Sequence, residues 1–140
     1  MSPFIGEFIG TAILFLFGSG VVANVVLNKT NGQNGGWIVI TFGWAMAVFI
    51  GVFISVKLGG SGHLNPAVTI ALAATGQFSS SMVGTYLLAQ LAGAFTGAVI
   101  VWLTYHSHFE ITDDADLKKA IFCTAPGIRK PLNNVFTEFI

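Results

Sequence analysis

Charged side chains are missing from most of this 140-residue chain. No Asp, Glu, Lys or Arg occurs in residues 8–28, 30–56 or 58–109. A helix needs about 20 such apolar residues to cross a hydrocarbon core about 30 Å thick. Only 9% of all residues are charged, whereas soluble domains carry about 25% and use those groups to stay in solution. The pattern predicts an all-α integral membrane protein.

Polar and turn-forming residues divide the apolar sequence into three spans. These spans cover about residues 4–27, 37–56 and 82–105, and an Asn/Gly-rich loop follows the first of them. Small residues recur at intervals of four within each span, which places them on one helix face and allows helices to pack closely in lipid. They are Gly6, Gly10, Gly43, Ala47, Gly51, Ala89, Gly93 and Gly97. We therefore expect three packed transmembrane helices.

A shorter apolar segment, at about residues 65–76, lies between the second and third spans. Asn65 is a favourable N-cap, Pro66 fits the first helical position, and Gly76 favours an end. Such a helix is about 16 Å long, which is half a bilayer. Gly-rich backbone precedes it, and irregular backbone is tolerated at membrane depth only inside protein or beside a water-filled cavity. The segment therefore predicts a re-entrant half-helix whose positive N-terminus faces a wet cavity.

The sequence Gly-His-Leu-Asn-Pro-Ala-Val-Thr at residues 62–69 resembles the first signature of the aquaporin and glycerol-facilitator family, the major intrinsic proteins. Residues 6–11 (Gly-Glu-Phe-Ile-Gly-Thr) and 89–94 (Ala-Gln-Leu-Ala-Gly-Ala) agree with it. The resemblance implies that residues 1–140 form one inverted repeat of the aquaporin-like fold. Such a repeat has three transmembrane helices and one re-entrant half-helix.

The resemblance also implies roles for particular residues. In the family motif, Asn65, Pro66 and Ala67 lie at mid-pore, and the Asn65 amide donates to the permeant. His63 then lines the cytoplasmic approach, and Trp44 forms the narrow filter of a polyol channel. An interfacial position remains the alternative for His63, and a lipid-facing or interfacial position for Trp44.

Two polar residues inside the apolar spans are expected to support the site. Glu7 within a span is costly and is by default paired or functional. The resemblance implies that Glu7 accepts hydrogen bonds from the re-entrant loop, and that Gln90 braces the same loop. A bare polar helix face is the alternative for Gln90.

The function that the resemblance implies is a passive channel for glycerol and other small uncharged solutes, together with water. It further implies the lipid bilayer of a bacterial inner membrane, a homo-tetramer in the full-length form, and no cofactor. Residues 122–130 resemble a loop of bacterial glycerol facilitators and, with Trp44, favour a polyol. A water-selective aquaporin and a non-conducting membrane fragment or interaction subunit remain the alternatives.

Other classes of function have little support in the sequence. The net charge is zero, which does not favour nucleic-acid binding. No nucleophile–base pairing, phosphate loop or cofactor fingerprint is legible, so an enzyme is not expected. His106, His108 and the carboxylates that follow invite a metal-site hypothesis, but a solvated loop is the preferred interpretation and no metal is predicted.

The tripeptide Glu-Phe-Ile occurs at residues 7–9 and again at 138–140, where a second repeat would begin. The second Asn-Pro-Ala motif of the family, and the filter Arg that follows it, do not occur. We interpret the chain as the amino-terminal half of a channel, with a fourth span beginning at 135–140. Two copies inserted in opposite orientations are an alternative, since the Lys and Arg distribution does not favour one orientation.

Overall fold

A computed structural model describes residues 2–140 as helices joined by loops, with no strand in that range. The predicted all-α fold is confirmed. The helices are α1 (Pro3–Val26), α2 (Trp37–Lys57), α3 (Pro66–Ala74), α4 (Val83–Thr104), α5 (His106–Glu110), α6 (Ala115–Ala120) and α7 (Pro131–Phe139).

Three of these helices are long and apolar enough to cross a membrane. They are α1 with 24 residues, α2 with 21, and α4 together with the 3₁₀ turn that precedes it, Ser80–Met82, with 25. At about 1.5 Å per residue each exceeds the thickness of a hydrocarbon core. Many of their large apolar side chains are exposed, including Phe42, Phe49 and Phe95. These three helices are the transmembrane helices that the charge pattern predicts.

Helix α1 lies between α2 and α4 and packs against both. On the α4 side, a Cβ placed on Gly93 would overlap the backbone oxygen of Phe8 in α1. On the α2 side, a Cβ on Gly10 would lie 2.8 Å from the Gly51 carbonyl oxygen. The missing side chains therefore allow the backbones to touch, which is how helices associate closely in lipid.

The bundle has its apolar core at the end where α1 leads into the α1–α2 loop. A cluster of buried apolar side chains lies there: Val22, Ala23, Val25, Leu27, Ile40, Val101 and Ile121. Ile121 comes from the segment after α6 and is 2% exposed. The Asn28 amide donates to Thr112 Oγ1 at 2.9 Å, and the Asn28 carbonyl is 2.9 Å from His108 Nδ1. These bonds fasten the segment after α4 to the first loop.

The short helix α3 begins with Pro66 and ends at Ala74, where Gly76 follows with φ +74°. A left-handed residue after the last turn is a common helix ending and favours glycine. Helix α7 begins at Pro131, four residues before the predicted beginning of a fourth span at 135, and none of its residues is buried. Its apolar side chains, such as Leu132 and Phe139, are exposed.

Candidate functional site

One cavity of about 600 Å³ is lined by most of the site residues that the sequence predicts. It is lined by Leu14, Phe15, Trp44, Val48, Val52, Gly62, His63, Leu64, Asn65, Pro66 and Val68. The lining thus combines an apolar wall from α1 and α2 with the polar N-terminal end of α3. Of the five residues expected to line a passage, Ala67 does not line this cavity, and its amide binds Asn65 instead.

Asn65 caps α3 with its side-chain oxygen. Oδ1 accepts the amide of Ala67 at 2.8 Å, and the residue has the extended backbone of an N-cap (φ −149°, ψ 126°). Within the described part of the chain, Asn65 Nδ2 forms no hydrogen bond. The cap therefore fixes the side chain of this cavity-lining residue and leaves its two N–H donors free of bonds to the described residues.

Glu7 holds the segment that leads into α3. Its carboxylate is fully buried and accepts five hydrogen bonds from α2, the loop and α4. The donors are Ser55 Oγ (3.0 Å), the amides of Ser61 (3.1 Å), His63 (3.1 Å) and Leu64 (2.9 Å), and Gln90 Nε2 (2.9 Å). A buried carboxylate is tolerated when its lone pairs are occupied in this way.

Leu64 adopts an uncommon backbone conformation next to the cap. Its φ is +52°, in the left-handed region that an L-residue with a large side chain rarely occupies. The residue is nevertheless buried, and a Cβ on Gly10 or Gly51 would come within 3.0 Å of its side chain. The hydrogen bond from the Leu64 N–H to Glu7 and the glycine-lined notch together hold Leu64 in this conformation. The turn at Leu64 brings Asn65 to the cavity.

The His63 ring is held on several sides. Its Nδ1 lies 3.1 Å from Thr69 Oγ1 in α3. The ring centroid lies 4.7 Å from that of Phe78 and 5.1 Å from that of Tyr86, and the Tyr86 hydroxyl is 2.8 Å from Ser61 Oγ. Two aromatic neighbours and one hydrogen bond restrict its rotation.

Trp44 lies on the α2 wall of the cavity. Its ring meets that of Phe15 edge-on, with centroids 6.3 Å apart, and covers Gly18, where a Cβ would overlap it. The partly buried indole is therefore packed against α1, unlike the exposed Trp37 at the beginning of α2.

Several residues of this site were missed by the sequence reasoning. Ser55, Ser61, Thr69, Phe78 and Tyr86 join the Glu7 and His63 networks. Ser55 carried a weak signal, because it and Thr41 are the two hydroxyl residues of an otherwise apolar span. The two aromatic residues carried none, since nothing in their spacing relates them to His63.

The histidines near the end of α4 have other partners. His106 forms an exposed contact with Glu110 at 3.6 Å, and His108 binds the Asn28 carbonyl. Among residues 2–140 there is no group of three His, Cys, Asp or Glu side chains placed to hold a metal ion.

Comparisons with known proteins identify the family of the chain. The family model described as "Major intrinsic protein" matches residues 1–140. A probable glycerol uptake facilitator protein of Thermotoga maritima is 52% identical over 140 residues, which are 100% of this chain and 59% of that protein. The glycerol uptake facilitator proteins of Streptococcus pneumoniae and Bacillus subtilis are 47% and 44% identical over the same length, which covers 59% and 51% of them.

A solved structure is also similar. The X-ray structure of the aquaglyceroporin from Plasmodium falciparum superimposes with a TM-score of 0.70 and 41% sequence identity. The similarity covers 77% of this chain and 43% of that one.

The three long apolar helices define an integral membrane protein of the all-helical class, and its bacterial relatives point to a plasma membrane. The chain belongs to the major intrinsic protein family. It spans 59% of the length of the first curated relatives that it matches.

Proposed function

We propose that the protein is part of a passive channel for glycerol and other small uncharged solutes, with water as a second permeant. The cavity that joins Asn65 and His63 to Trp44 carries this proposal. Under this proposal, α3 is a re-entrant half-helix and the residues that line the cavity form one wall of the solute path. No step of this process requires an enzyme reaction or a cofactor.

The chemistry of the wall suits a polyol. Glycerol has hydroxyl oxygens along one edge and carbon atoms along the other. Asn65 Nδ2 offers donors to the oxygens, while the Trp44 ring and the side chains of Val48 and Val52 offer an apolar surface to the carbons. The wall then offers hydrogen-bond donors to the oxygens of the solute and an apolar surface to its carbons.

The same end of the cavity disfavours cations. The N-terminus of α3 carries about +0.5 of an elementary charge, and the cap bond occupies Asn65 Oδ1 and leaves the Nδ2 donors of that side chain. A neutral solute with lone pairs is accepted there, whereas a cation meets a positive potential.

The bracing residues hold this geometry in place. We infer that Glu7 and Gln90 support the loop without touching the permeant, because both are at most 1% exposed and their bonds run to Ser61, His63, Leu64 and Thr69. Pro66 and Ala67 fix the first turn of α3.

We further propose that copies of the protein assemble as a tetramer within the lipid bilayer. The exposed apolar side chains of α2, including Trp37, Ile38 and Phe53, offer surface for lipid or for a neighbouring copy. A cross-linking experiment in native membranes distinguishes four copies from one.

Stopped-flow light scattering on proteoliposomes tests the proposed permeant. We expect liposomes that contain the protein to re-swell in a glycerol gradient much faster than protein-free liposomes. Asn65→Ala removes the donors and the cap and should slow glycerol strongly. Asn31→Ala, in the exposed first loop, is the matched control and should leave the rate unchanged.

The outcomes separate the alternatives. Fast shrinking in a sucrose gradient without glycerol entry would identify a water-selective channel. Rates equal to those of empty liposomes for both solutes would identify a non-conducting membrane subunit and overturn the proposal.

A further inference from the structure

The hydrogen-bonded chain from Glu7 to His63 has a direction that can be read from its donors and acceptors. Gln90 Nε2 lies 2.9 Å from Glu7 Oε2 and 2.9 Å from Thr69 Oγ1. A carboxylate can only accept, so the Gln90 nitrogen must face it. The second N–H of the same nitrogen is then directed to Thr69. Gln90 Oε1 has no hydrogen-bond partner among the described residues, so the orientation of the amide is assigned from the bonds of its nitrogen.

The Thr69 hydroxyl has one proton, which it can donate to the Asn65 carbonyl oxygen or, when Nδ1 is unprotonated, to His63. His63 Nδ1 lies 3.1 Å away and the Asn65 carbonyl oxygen lies 3.2 Å away. The carbonyl already accepts the Thr69 backbone amide at 3.1 Å. An imidazole nitrogen with a free lone pair is the stronger acceptor of the two. A hydroxyl that accepts a hydrogen bond from Gln90 also becomes a better donor.

We propose that Gln90 and Thr69 hold the His63 imidazole as its Nε2-protonated tautomer, so that the ring offers an N–H donor to the cavity. Nδ1 is occupied by Thr69, and Nε2 is the one ring nitrogen without a hydrogen bond to the described residues. Phe78 and Tyr86 keep the ring from turning over. Thr69 and Gln90 are thus positioning residues. Of the three residues, His63 alone lines the cavity.

The consequence is a second donor along the solute path. Asn65 Nδ2 and His63 Nε2 would both donate, so a solute would pass between two donors of the same kind. The role in permeation rests on the proposed function, but the tautomer does not, because it depends only on contacts within the chain.

Nitrogen-15 NMR of the protein labelled at histidine tests the tautomer directly, since protonated and unprotonated ring nitrogens differ widely in chemical shift. Spectra are recorded at about pH 8.5, where an unperturbed imidazole is neutral. His63→Gln assigns the signal. His108 is an internal reference of the opposite kind, because its Nδ1 lies 2.9 Å from the Asn28 carbonyl, which can only accept, and so carries the proton.

We expect His63 to show a protonated Nε2 and an unprotonated Nδ1 in the unchanged protein. Thr69→Ser keeps the hydroxyl and should preserve that pattern. Thr69→Val keeps the shape without the hydroxyl and should lower the ratio of the two tautomers by about fivefold, the factor set by one ordinary hydrogen bond. His108 should be unaffected in both variants.

A protonated Nδ1 at His63 in the unchanged protein overturns the inference, whether or not any variant folds. An unchanged tautomer ratio in folded Thr69→Val also overturns it. Glycerol permeability measured on the same samples is a separate result, so absence of transport with the expected tautomer counts against the proposed function alone.

Discussion

Gln90 Nε2 donates to Glu7 Oε2 at 2.9 Å and so joins α4 to α1 in the buried interior of the bundle. Glu7 is fully buried and Gln90 is 1% exposed. The same carboxylate receives Ser55 from α2 and three backbone amides from the loop before α3. A single side chain therefore sets the positions of all three long helices relative to the candidate site.

Glu7→Gln should destabilise the protein by about 3 kcal/mol, because the new NH₂ group faces donors that had a charged acceptor. The free energy of unfolding in mixed detergent micelles measures the effect. Glu138→Gln, at an exposed position in α7, is the matched control and should change stability by less than about 0.5 kcal/mol. Equal stability of the two variants would show that the Glu7 network does not hold the bundle together.

Gly93→Ala should separate α1 from α4, since the added methyl group would overlap the Phe8 carbonyl oxygen. We expect a loss of about 1–3 kcal/mol, the usual cost of overpacking. Gly84→Ala on the same helix meets no atom within 4 Å and should stabilise by up to about 1 kcal/mol through helix propensity. Thermal unfolding of both variants in one detergent gives the comparison, and the prediction fails if the two shifts have the same sign.

Trp44→Ala should reduce the ratio of glycerol to water permeability, because the polyol loses the aromatic surface opposite the Asn65 donors. Water needs no such surface and should pass at an equal or higher rate. Parallel glycerol and sucrose gradients on one proteoliposome preparation measure the ratio. Trp37→Ala removes an indole that is 78% exposed and serves as the control. An unchanged ratio in Trp44→Ala would place the selective part of the path elsewhere.

Much of this architecture was predictable because it depends on local sequence. The three spans follow from the absence of charge over about 20 residues at a time, and Asn65 followed by Pro66 defines a helix beginning. A carboxylate such as Glu7 inside an apolar span needs donors, so its involvement could also be expected.

The hydrogen-bond partners of Glu7 could not be predicted from the residues alone, and only the family resemblance implied that Glu7 and Gln90 support the re-entrant loop. Ser55, Ser61 and Gln90 follow Glu7 by 48, 54 and 83 residues, and no periodicity relates positions so far apart. The unusual backbone of Leu64 depends on the notch formed by Gly10 and Gly51 on two other helices. Such features arise only when the helices pack, and propensity says nothing about them.

Thr112→Val should loosen the segment after α4 from the first loop. The Thr112 side chain is 1% exposed, and its loss leaves the Asn28 amide without an acceptor, at a cost of about 1–3 kcal/mol. Hydrogen exchange at Asn28 should become at least about fivefold faster, the factor that corresponds to the lower end of that cost. Thr137→Val removes a similar hydroxyl from the exposed face of α7 and should leave that exchange rate unchanged. Equal rates in both variants would mean that the loop is held by Ile121 and its apolar neighbours alone.

The five hydrogen bonds that Glu7 accepts also have a consequence for membrane insertion during synthesis. The ribosome adds Glu7 to the nascent chain 48 residues before Ser55 and 83 residues before Gln90. An ionisable group left alone among lipid tails costs a few kcal/mol. The nascent α1 should therefore stay next to water, or next to the insertion machinery, until α2 and α4 have been synthesised. Release into the bilayer then becomes a concerted event for the three helices rather than a sequence of independent steps.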